Sequence, residues 1–303
     1  MELRHTVQGD GTLHQILKSE LRMSTGLIGR LKFQQALLVN GIPQRTNYPV
    51  HPGDELRVRL LEPEPNYPAE EGELNILYED EHLLAVDKPP GIIVHPSPAR
   101  MTGTLANYLL AHYRSQGEDS AVHPLTRLDR DTFGIVLFAK HSHAHALLTL
   151  QQRAGQFEKV YHALVEGTPA AQRIEAPVFR PDPVSLLRIV DSRGKHAQTL
   201  LSPLSTDGRI SLVELHPVTG RTHQLRVHCL YIGCPILGDP QYCTASSQAL
   251  SDLFGLTGQQ LGAMRLRFTH PFTGQAMELH SGFSLGLQKF VAPGTKPVYN
   301  NDN

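Results

Sequence analysis

The sequence concentrates charged residues in one short segment, Arg127–Thr132 (RLDRDT), shortly before the apolar run Gly134–Phe138. Positive charge close to a carboxylate favours its ionised form. An ionised carboxylate suits a nucleophile or an electrostatic stabiliser better than a general acid. The segment therefore offers a candidate catalytic carboxylate. The alternative for this segment is a surface turn with solvated ion pairs.

A second cluster of polar residues is Thr219–His228 (TGRTHQLRVH). The pattern predicts a helix that is capped by Thr219 or Thr222 and carries arginines near its first turn. A helix start with arginines favours anions. The alternative is an amphipathic helix that buries Leu225 and Val227 and leaves its polar residues in solvent.

The sequence lacks the motifs of common cofactor sites. It contains no G-x-x-x-x-G-K-[ST] loop, no G-x-G-x-x-G turn and no H-x-E with P-C-x-x-C, which argues against ATP, dinucleotide and zinc-deaminase chemistry. Of His141, His143 and His145, only the first and last share a helix face, and Cys229 and Cys234 lack the spacing of structural zinc ligands. We expect no metal and no cofactor.

Composition indicates an ordinary globular protein of 303 residues, 40% hydrophobic and 19% charged, with room for about two domains. No stretch approaches the roughly 18 apolar residues of a membrane helix, and the first residues lack a signal-peptide pattern. The three cysteines fit a reduced compartment, so we expect a cytoplasmic protein that binds no membrane.

Charge is distributed unevenly along the chain. The net charge of −1 combines mildly basic segments at 1–60 and 81–303 with seven acidic and no basic residues at 61–80. A near-neutral total does not exclude a polyanionic partner, because such a partner responds to local patches.

Segment 61–75 (LEPEPNYPAEEGELN) is acidic, contains three prolines and has no apolar period, which favours an interdomain linker. We predict an N-terminal domain at 1–62, a linker at 63–74, a catalytic domain at 75–291 and a loose tail at 292–303. The N-terminal domain is expected to have two helices, the second capped by Ser24, followed by a hairpin with a type I′ turn at Asn40-Gly41.

Strands predominate after the linker, without a regular helix after each one. This favours an α+β fold with a mixed, largely antiparallel sheet and a central cleft over a doubly wound parallel sheet. Strands are predicted at Leu74–Tyr78, Leu83–Val86, Gly134–Ala139, Val160–Glu166, Ile210–Leu215 and Met264–Phe268. Helices are predicted at Leu105–Tyr113, Ser142–Ala154 and Thr222–Tyr231.

Four blocks, in this order, resemble the motifs of the RluA family of RNA pseudouridine synthases, and the resemblance spans Asn75 to Phe290. The family motifs are K-P-x-G-x-x-V-H, H-R-L-D-x-x-T-S-G, K-x-Y-x-A-x-V-x-G and T-G-R-x-H-Q-[IL]-R-x-H. The matching segments are Lys88–His95, Thr126–Gly134, Lys159–Gly167 and Thr219–His228, the last followed by Gly233, Pro235, Gly238, Asp239 and Tyr242. The chain departs from the second motif at Thr126 (usually His) and Phe133 (usually Ser). It also departs at Gly262, where a later L-H-A segment of the family has His.

The resemblance implies an isomerase that converts uridine to pseudouridine without a cofactor. Asp129 would attack the sugar or the uracil ring, or assist proton removal from the sugar. Arg221 would pair with Asp129, and Tyr161 would stack on the flipped uracil with its hydroxyl placed for proton transfer. Arg127 would enter the helix stack in the place of the uridine, and Leu266 would close the pocket as an apolar wall.

The N-terminal region resembles the small RNA-binding domain first seen in ribosomal protein S-four. Arg22, Arg30 and Lys32 are expected to cluster around the start of the second helix and to contact phosphate. The expected partner is structured RNA, a stem-loop of ribosomal or transfer RNA, bound by a monomer that needs no protein partner.

Two alternative functions belong to other classes. A catalytically silent RNA-binding protein would have the same fold without a working aspartate. A hydrolytic glycosidase would need a second carboxylate, for which Asp131 is the near candidate.

Overall fold

The computed structural model describes residues 1–118 and 121–285. They form two compact units: residues 1–85, 94–127 and 137–154 belong to the first, and residues 86–93, 128–136 and 155–285 to the second. The chain passes between the units several times, and the predicted domains 1–62 and 75–291 stay a prediction. The predicted tail, 292–303, lies outside the described residues.

The described residues contain helices and strands in mixed order. The helices are α1 (Leu13–Ser19), α2 (Thr25–Phe33), α3 (Leu105–Ser115), α4 (Ser142–Arg153), α5 (Gln224–Tyr231) and α6 (Ala245–Leu253). The strands of the first 90 residues are β1 (Glu2–Thr6), β2 (Gly11–Thr12), β3 (Leu37–Val39), β4 (Ile42–Pro43), β5 (Pro49–Val50), β6 (Glu55–Arg59), β7 (Ile76–Glu79) and β8 (Leu83–Lys88). The later strands are β9 (His123–Pro124), β10 (Phe133–Ala139), β11 (Glu158–Glu166), β12 (Gln172–Glu175), β13 (Val178–Phe179), β14 (Ile189–Val190), β15 (Gln198–Thr206), β16 (Ile210–Pro217), β17 (Leu261–Thr269) and β18 (Ala276–His280).

The predicted α+β class is confirmed, since the main sheet is mixed and largely antiparallel. Each predicted strand and helix after position 75 is present, with ends displaced by a few residues. No helix among residues 1–118 and 121–285 is long and apolar enough to cross a membrane.

The N-terminal part of the first unit contains the predicted helix pair and hairpin. Ser24 caps α2 by accepting a hydrogen bond from the Leu27 amide at 3.1 Å. Asn40 and Gly41 have φ values of 50° and 81°, and a type I′ turn requires positive φ at both central residues. The sheet also contains β1 and β6, in the order β1-β6-β3-β4.

Segment 61–75 has no helix or strand, as predicted, but it packs within its unit rather than forming a free linker. Tyr67 is buried. The Glu62 carboxylate accepts a hydrogen bond from the Ser142 amide at 2.8 Å and lies 3.3 Å from His123 Nε2. These neighbours satisfy a carboxylate that would otherwise be buried without partners.

The second unit is built on antiparallel strands in the order β12-β15-β16-β11-β17, with β18 on the other side of β17. The first half of β10 pairs with β17 in parallel, with Gly134 opposite Ala263. Gly134 has a φ of 103°, and a Cβ there would lie 2.2 Å from the Ala263 carbonyl oxygen. Only glycine therefore permits this close approach, which brings the turn before β10 to the sheet.

Candidate active site

Asp129 lies in a tight turn directly before β10. The Thr132 amide donates to the Asp129 carbonyl oxygen at 3.2 Å, which closes the turn. The turn is also held from outside, because the Gly91 amide donates to the Arg130 carbonyl at 2.9 Å. Two hydrogen bonds therefore hold the backbone of the turn that carries Asp129, one within the turn and one from Gly91.

Lys88 fastens the same turn from the end of β8. Its buried ammonium donates to three carbonyl oxygens, those of Pro89, Ile92 and Arg130, at 2.7 to 2.9 Å. Burial lowers the pKa of Lys88 to about 7, while the charges of Asp131 and Asp129 oppose that shift. The family-like K-P-x-G segment therefore supports the turn that carries Asp129.

The carboxylate of Asp129 is paired with Arg226, on the first turn of α5. Arg226 Nη1 donates to Asp129 Oδ2 at 3.1 Å. The rest of the guanidinium is oriented by a bidentate pair with Asp239, at 2.6 and 2.8 Å. Burial would lower the pKa of Arg226, but Asp239 and Asp129 raise it overall, so the cation is firmly retained.

The expected pair between Arg221 and Asp129 is wrong. Arg221 is exposed, and its Nε donates to the His196 carbonyl oxygen at 2.9 Å. The predicted caps are also wrong, since α5 begins at Gln224 after His223 and not at Thr219 or Thr222. With this later start, Arg221 precedes the helix and Arg226 occupies its first turn.

His223 is a further residue beside Asp129. Its Nε2 lies 3.8 Å from Asp129 Oδ2, and its Nδ1 lies 2.8 Å from the Tyr242 hydroxyl. The ring of Tyr242 lies under the guanidinium of Arg226, with 4.7 Å between Cζ and the ring centroid. The sequence analysis gave no individual role to His223, Arg226 or Tyr242. The available signal was that the first two lie in the fourth block and that Tyr242 is among the matching positions after it.

Tyr161 lies on β11, opposite Ala263 of β17, and packs on the buried cluster that includes Leu215 and Leu225. Burial and the charge of Asp129 raise the pKa of Tyr161, so its hydroxyl keeps its proton. The role predicted for Tyr161 stays a prediction.

A β-bulge decides which side of the sheet Leu266 faces. Val160 pairs with Arg265 but Tyr161 pairs with Ala263, so β17 contains one extra residue at Met264. Leu266 pairs with Lys159 and therefore lies on the same face as Tyr161. Strict alternation counted along β17 from Ala263, the partner of Tyr161, would place Leu266 on the opposite face, and the bulge offsets that count by one residue.

The other predicted RNA-binding residues lie in the first unit. Arg127, Arg22, Arg30 and Lys32 are all exposed. The expected cluster at the start of α2 is wrong in detail, because the helix begins at Thr25 and places Arg30 and Lys32 in its last turn. At that end the two cations complement the negative end of the helix dipole.

The loop between β13 and β14 presents apolar side chains to solvent near this site. Val184, Leu186 and Leu187 are 88%, 67% and 42% exposed. The loop contains local hydrogen bonds, in which Arg188 Nη1 donates to the Leu186 and Leu187 carbonyls at 2.8 Å. The Arg188 amide donates to the Tyr242 hydroxyl at 2.8 Å, which joins the loop to the residues around Asp129.

Residues 82–231 match the family model described as RNA pseudouridylate synthase. The uncharacterized RNA pseudouridine synthase YhcT of Bacillus subtilis (strain 168) is 36% identical over 281 residues, which cover 91% of each chain. The chain belongs to the RNA pseudouridylate synthase family. Ribosomal large subunit pseudouridine synthase D of Zymomonas mobilis is 36% identical over 224 residues, 71% of each chain. The solved structure of human RNA Pseudouridylate Synthase Domain Containing 1 is 25% identical, with a TM-score of 0.56, and covers 71% of this chain and 86% of that one.

The protein is therefore an RNA pseudouridine synthase, an isomerase that acts on uridine in RNA. This confirms the predicted family, reaction class and RNA substrate. The four blocks that suggested the family include the residues around Asp129 in the second unit: Lys88, Asp129, Tyr161, His223 and Arg226.

The three departures from the family pattern have local structural explanations. Thr126 is buried, and its hydroxyl accepts a hydrogen bond from the Leu137 amide at 3.2 Å. Phe133 and Gly262 are directly paired across β10 and β17. The Phe133 ring occupies the space that a side chain at position 262 would need.

Proposed function

We propose that Asp129 is the catalytic residue of this pseudouridine synthase and reacts through Oδ1. The observation that supports the proposal is that the neighbouring side chains approach only one of the two carboxylate oxygens. Arg226 and His223 both face Oδ2, and no hydrogen bond from the described residues reaches Oδ1. A carboxylate that is held at one oxygen keeps the other available for the substrate.

The reaction breaks the bond between N1 of uracil and C1′ of the sugar and forms a bond between C5 and C1′. C5 loses its proton and N1 gains one, so the reaction needs no oxidant and no cofactor. Asp129 acts on the sugar or the uracil ring, and Arg226 balances its charge when it reacts. The neutral Tyr161 hydroxyl takes part in proton transfer while its ring stacks on uracil, and Leu266 forms an apolar wall on the same face.

Tritium release from RNA that contains [5-³H]uridine tests the role of Asp129, because each isomerisation frees the C5 hydrogen. We expect Asp129→Asn to abolish release and to leave RNA affinity within a few-fold, since the amide keeps the shape of the carboxylate. Asp131→Asn is the matched control, because that carboxylate pairs with Arg130 at 3.0 Å. It should retain activity.

Three outcomes of that assay separate the possible functions. Pseudouridine formed by the wild type and lost in Asp129→Asn supports the proposal. Free uracil, lost in either variant, would indicate a two-carboxylate glycosidase. Turnover by Asp129→Asn at even a few per cent of the wild-type rate would remove Asp129 from catalysis.

A pair of arginine variants tests the charged partner of Asp129. Arg226→Met should lower the rate of isomerisation at saturating RNA by about 100-fold or more, because the variant leaves both Asp129 and buried Asp239 without their cation. Arg221→Met should lower it far less, since Arg221 bonds to a backbone carbonyl. Equal losses in the two variants would restore the catalytic role first predicted for Arg221.

The substrate of this protein is, we propose, a stem-loop in ribosomal RNA, with transfer RNA as the second candidate. The named relative that acts on the ribosomal large subunit supports this choice. Selectivity would come from the foldability of the loop and from phosphate contacts, with Arg127 entering the stack where the uridine leaves it. The N-terminal S-four-like region would add a second RNA contact, and the protein would act as a cytoplasmic monomer.

Mapping of pseudouridines across the transcriptome in a strain that lacks this gene tests the target. We expect one or a few ribosomal RNA sites to lose their pseudouridine and to regain it with the wild-type gene, but not with the Asp129→Asn gene. Loss confined to messenger RNA would contradict the proposed target and leave the role of Asp129 intact.

A further inference from the structure

His223 has a left-handed backbone conformation, which is uncommon for residues other than glycine. Its φ and ψ are 55° and 19°, in the left-handed region, directly before α5. Residues other than glycine adopt this region uncommonly, although histidine is one of the types enriched there, and non-glycine residues in it cluster at functional sites. The side chain forms no capping hydrogen bond to α5, so helix capping does not account for the conformation.

The hydrogen bonds of Tyr242 favour one tautomer of His223. The Arg188 backbone N–H can only donate, so the Tyr242 hydroxyl oxygen accepts from it at 2.8 Å. The hydroxyl proton is then free to be donated to His223 Nδ1, which lies 2.8 Å away. Because Nδ1 accepts, the proton of the neutral imidazole is on Nε2.

That Nε2–H faces Asp129. The distance from Nε2 to Asp129 Oδ2 is 3.8 Å, longer than a hydrogen bond but close enough for electrostatic attraction. Catalytic hydrogen bonds often shorten to normal length once substrate is bound. Arg226 Nη1 approaches the same oxygen at 3.1 Å, so the two donors converge on Oδ2.

The charges around His223 favour the neutral ring. Burial lowers the pKa of His223, and the positive charges of Arg226 and Arg188 lower it further. Asp129 and Asp239 oppose the shift without cancelling it. The ring is therefore mostly neutral at pH 7, as the hydrogen-bond assignment requires.

We propose that His223 is a positioning residue for Asp129, a role that rests on the proposed catalytic function of Asp129. Its imidazole, oriented by Tyr242, directs Nε2–H to Oδ2 and turns Oδ1 toward the uridine. Tyr242 acts through His223. The left-handed backbone at position 223, directly before α5, directs the imidazole ring toward the Asp129 carboxylate.

Three variants test this in single-turnover tritium release at saturating enzyme. Asparagine tolerates the left-handed region, so His223→Asn removes the imidazole with little backbone cost. We expect its rate to fall about 10- to 100-fold, as when a partner that orients a functional group is removed, with half-saturation by RNA unchanged within twofold. Tyr242→Phe keeps the ring against Arg226 and should lose less. The double variant should be no slower than His223→Asn.

The pH profile supplies a readout that a merely structural role would not change. Because the pKa of His223 is lowered, the acid limb of the wild-type rate should lie below pH 6.5, the ordinary pKa of histidine. Protonated Nδ1 can no longer accept the hydrogen bond from Tyr242. The imidazolium cation then forms an ion pair with the Asp129 carboxylate, which makes the carboxylate less available for reaction. In His223→Asn this acid limb should disappear. Thermal unfolding of each variant checks that it folds. If His223→Asn does not fold, the pH profile of Tyr242→Phe replaces it as the test, and its acid limb should be displaced from that of the wild type.

Three results would overturn the inference: a His223→Asn rate within twofold of the wild type, an unchanged acid limb, or additive losses in the double variant. Asp129→Asn is measured in the same assay. If Asp129→Asn is inactive and His223→Asn is normal, only the role of His223 fails. If Asp129→Asn is active, the proposed function fails as well.

Discussion

At the residue scale, Phe133 and Gly262 form a matched large and small pair, where the family pattern has Ser and His. A Cβ at position 262 would lie 2.3 Å from Phe133 Cε2. The ring also packs edge-on against Phe283, with centroids 5.7 Å apart. Each departure is therefore tolerated because the other is present, and the parallel pairing of β10 with β17 is preserved beside the Asp129 turn.

A double-mutant cycle on this pair tests the compensation. Gly262→Ala should lower the free energy of unfolding by about 1–3 kcal/mol through overpacking, and Phe133→Ala by about 3–5 kcal/mol through the cavity it leaves. The double variant should lose less than the sum by about 0.5–3 kcal/mol, because the methyl group enters that cavity. Urea unfolding provides the measurement, and losses that simply add would contradict a shared volume.

At the element scale, the start of α4 depends on buried neutral histidines. His141 caps the helix, with Nδ1 accepting from the Ala144 amide at 3.2 Å. Burial, together with the neighbouring His82 and His143, lowers its pKa to about 3. Burial lowers the pKa of His143 to about 4. Both rings are neutral in the folded protein where the unfolded chain would already be protonated.

This difference predicts acid sensitivity in a defined window. Between pH 6.5 and about 4 the unfolded chain binds more protons than the folded protein. The free energy of unfolding therefore decreases as the pH is lowered, by about 1.4 kcal/mol per pH unit for each histidine. Asparagine is a good N-cap, so His141→Asn should keep the cap and remove one histidine's share of the slope. Urea unfolding at pH 7, 6 and 5 measures both slopes. Equal stability of the wild type at these pH values would refute the prediction.

At the scale of the whole molecule, RNA affinity must come from local basic patches, because the net charge is −1. Exposed Arg22, Arg30 and Lys32 are the candidates in the N-terminal region. Their replacement by Gln should weaken binding of long RNA and reduce the slope of log affinity against log salt by about 1 for each phosphate that the variant no longer neutralises. The rate at saturating RNA should not change.

Arg4→Gln is the control for that experiment, because Arg4 is exposed but already paired with Glu2 at 3.2 Å. Filter binding across a salt series measures each slope. If the triple variant keeps the wild-type slope, the N-terminal region does not bind phosphate, and the predicted S-four-like role is refuted.

The sequence by itself determined the features that depend on near neighbours. The Ser24 cap and the turn at Asn40-Gly41 follow from backbone preferences of a few residues, and the strands and helices follow from apolar periodicity. The four ordered blocks identified the family, and the second block is the source of the prediction that Asp129 is catalytic. These signals are local or ordered along the chain, so they can be read without knowing which segments meet.

Tertiary structure alone decided which groups surround Asp129. Arg221 and Arg226 belong to the same block, and the choice between them depends on where α5 begins and on a contact across 97 positions. A single extra residue at Met264 decided the face of Leu266. The aim of His223 depends on a left-handed φ and on Tyr242. Side-chain direction is set by register, helix start and packing between distant segments, and none of these leaves a periodic trace in the sequence.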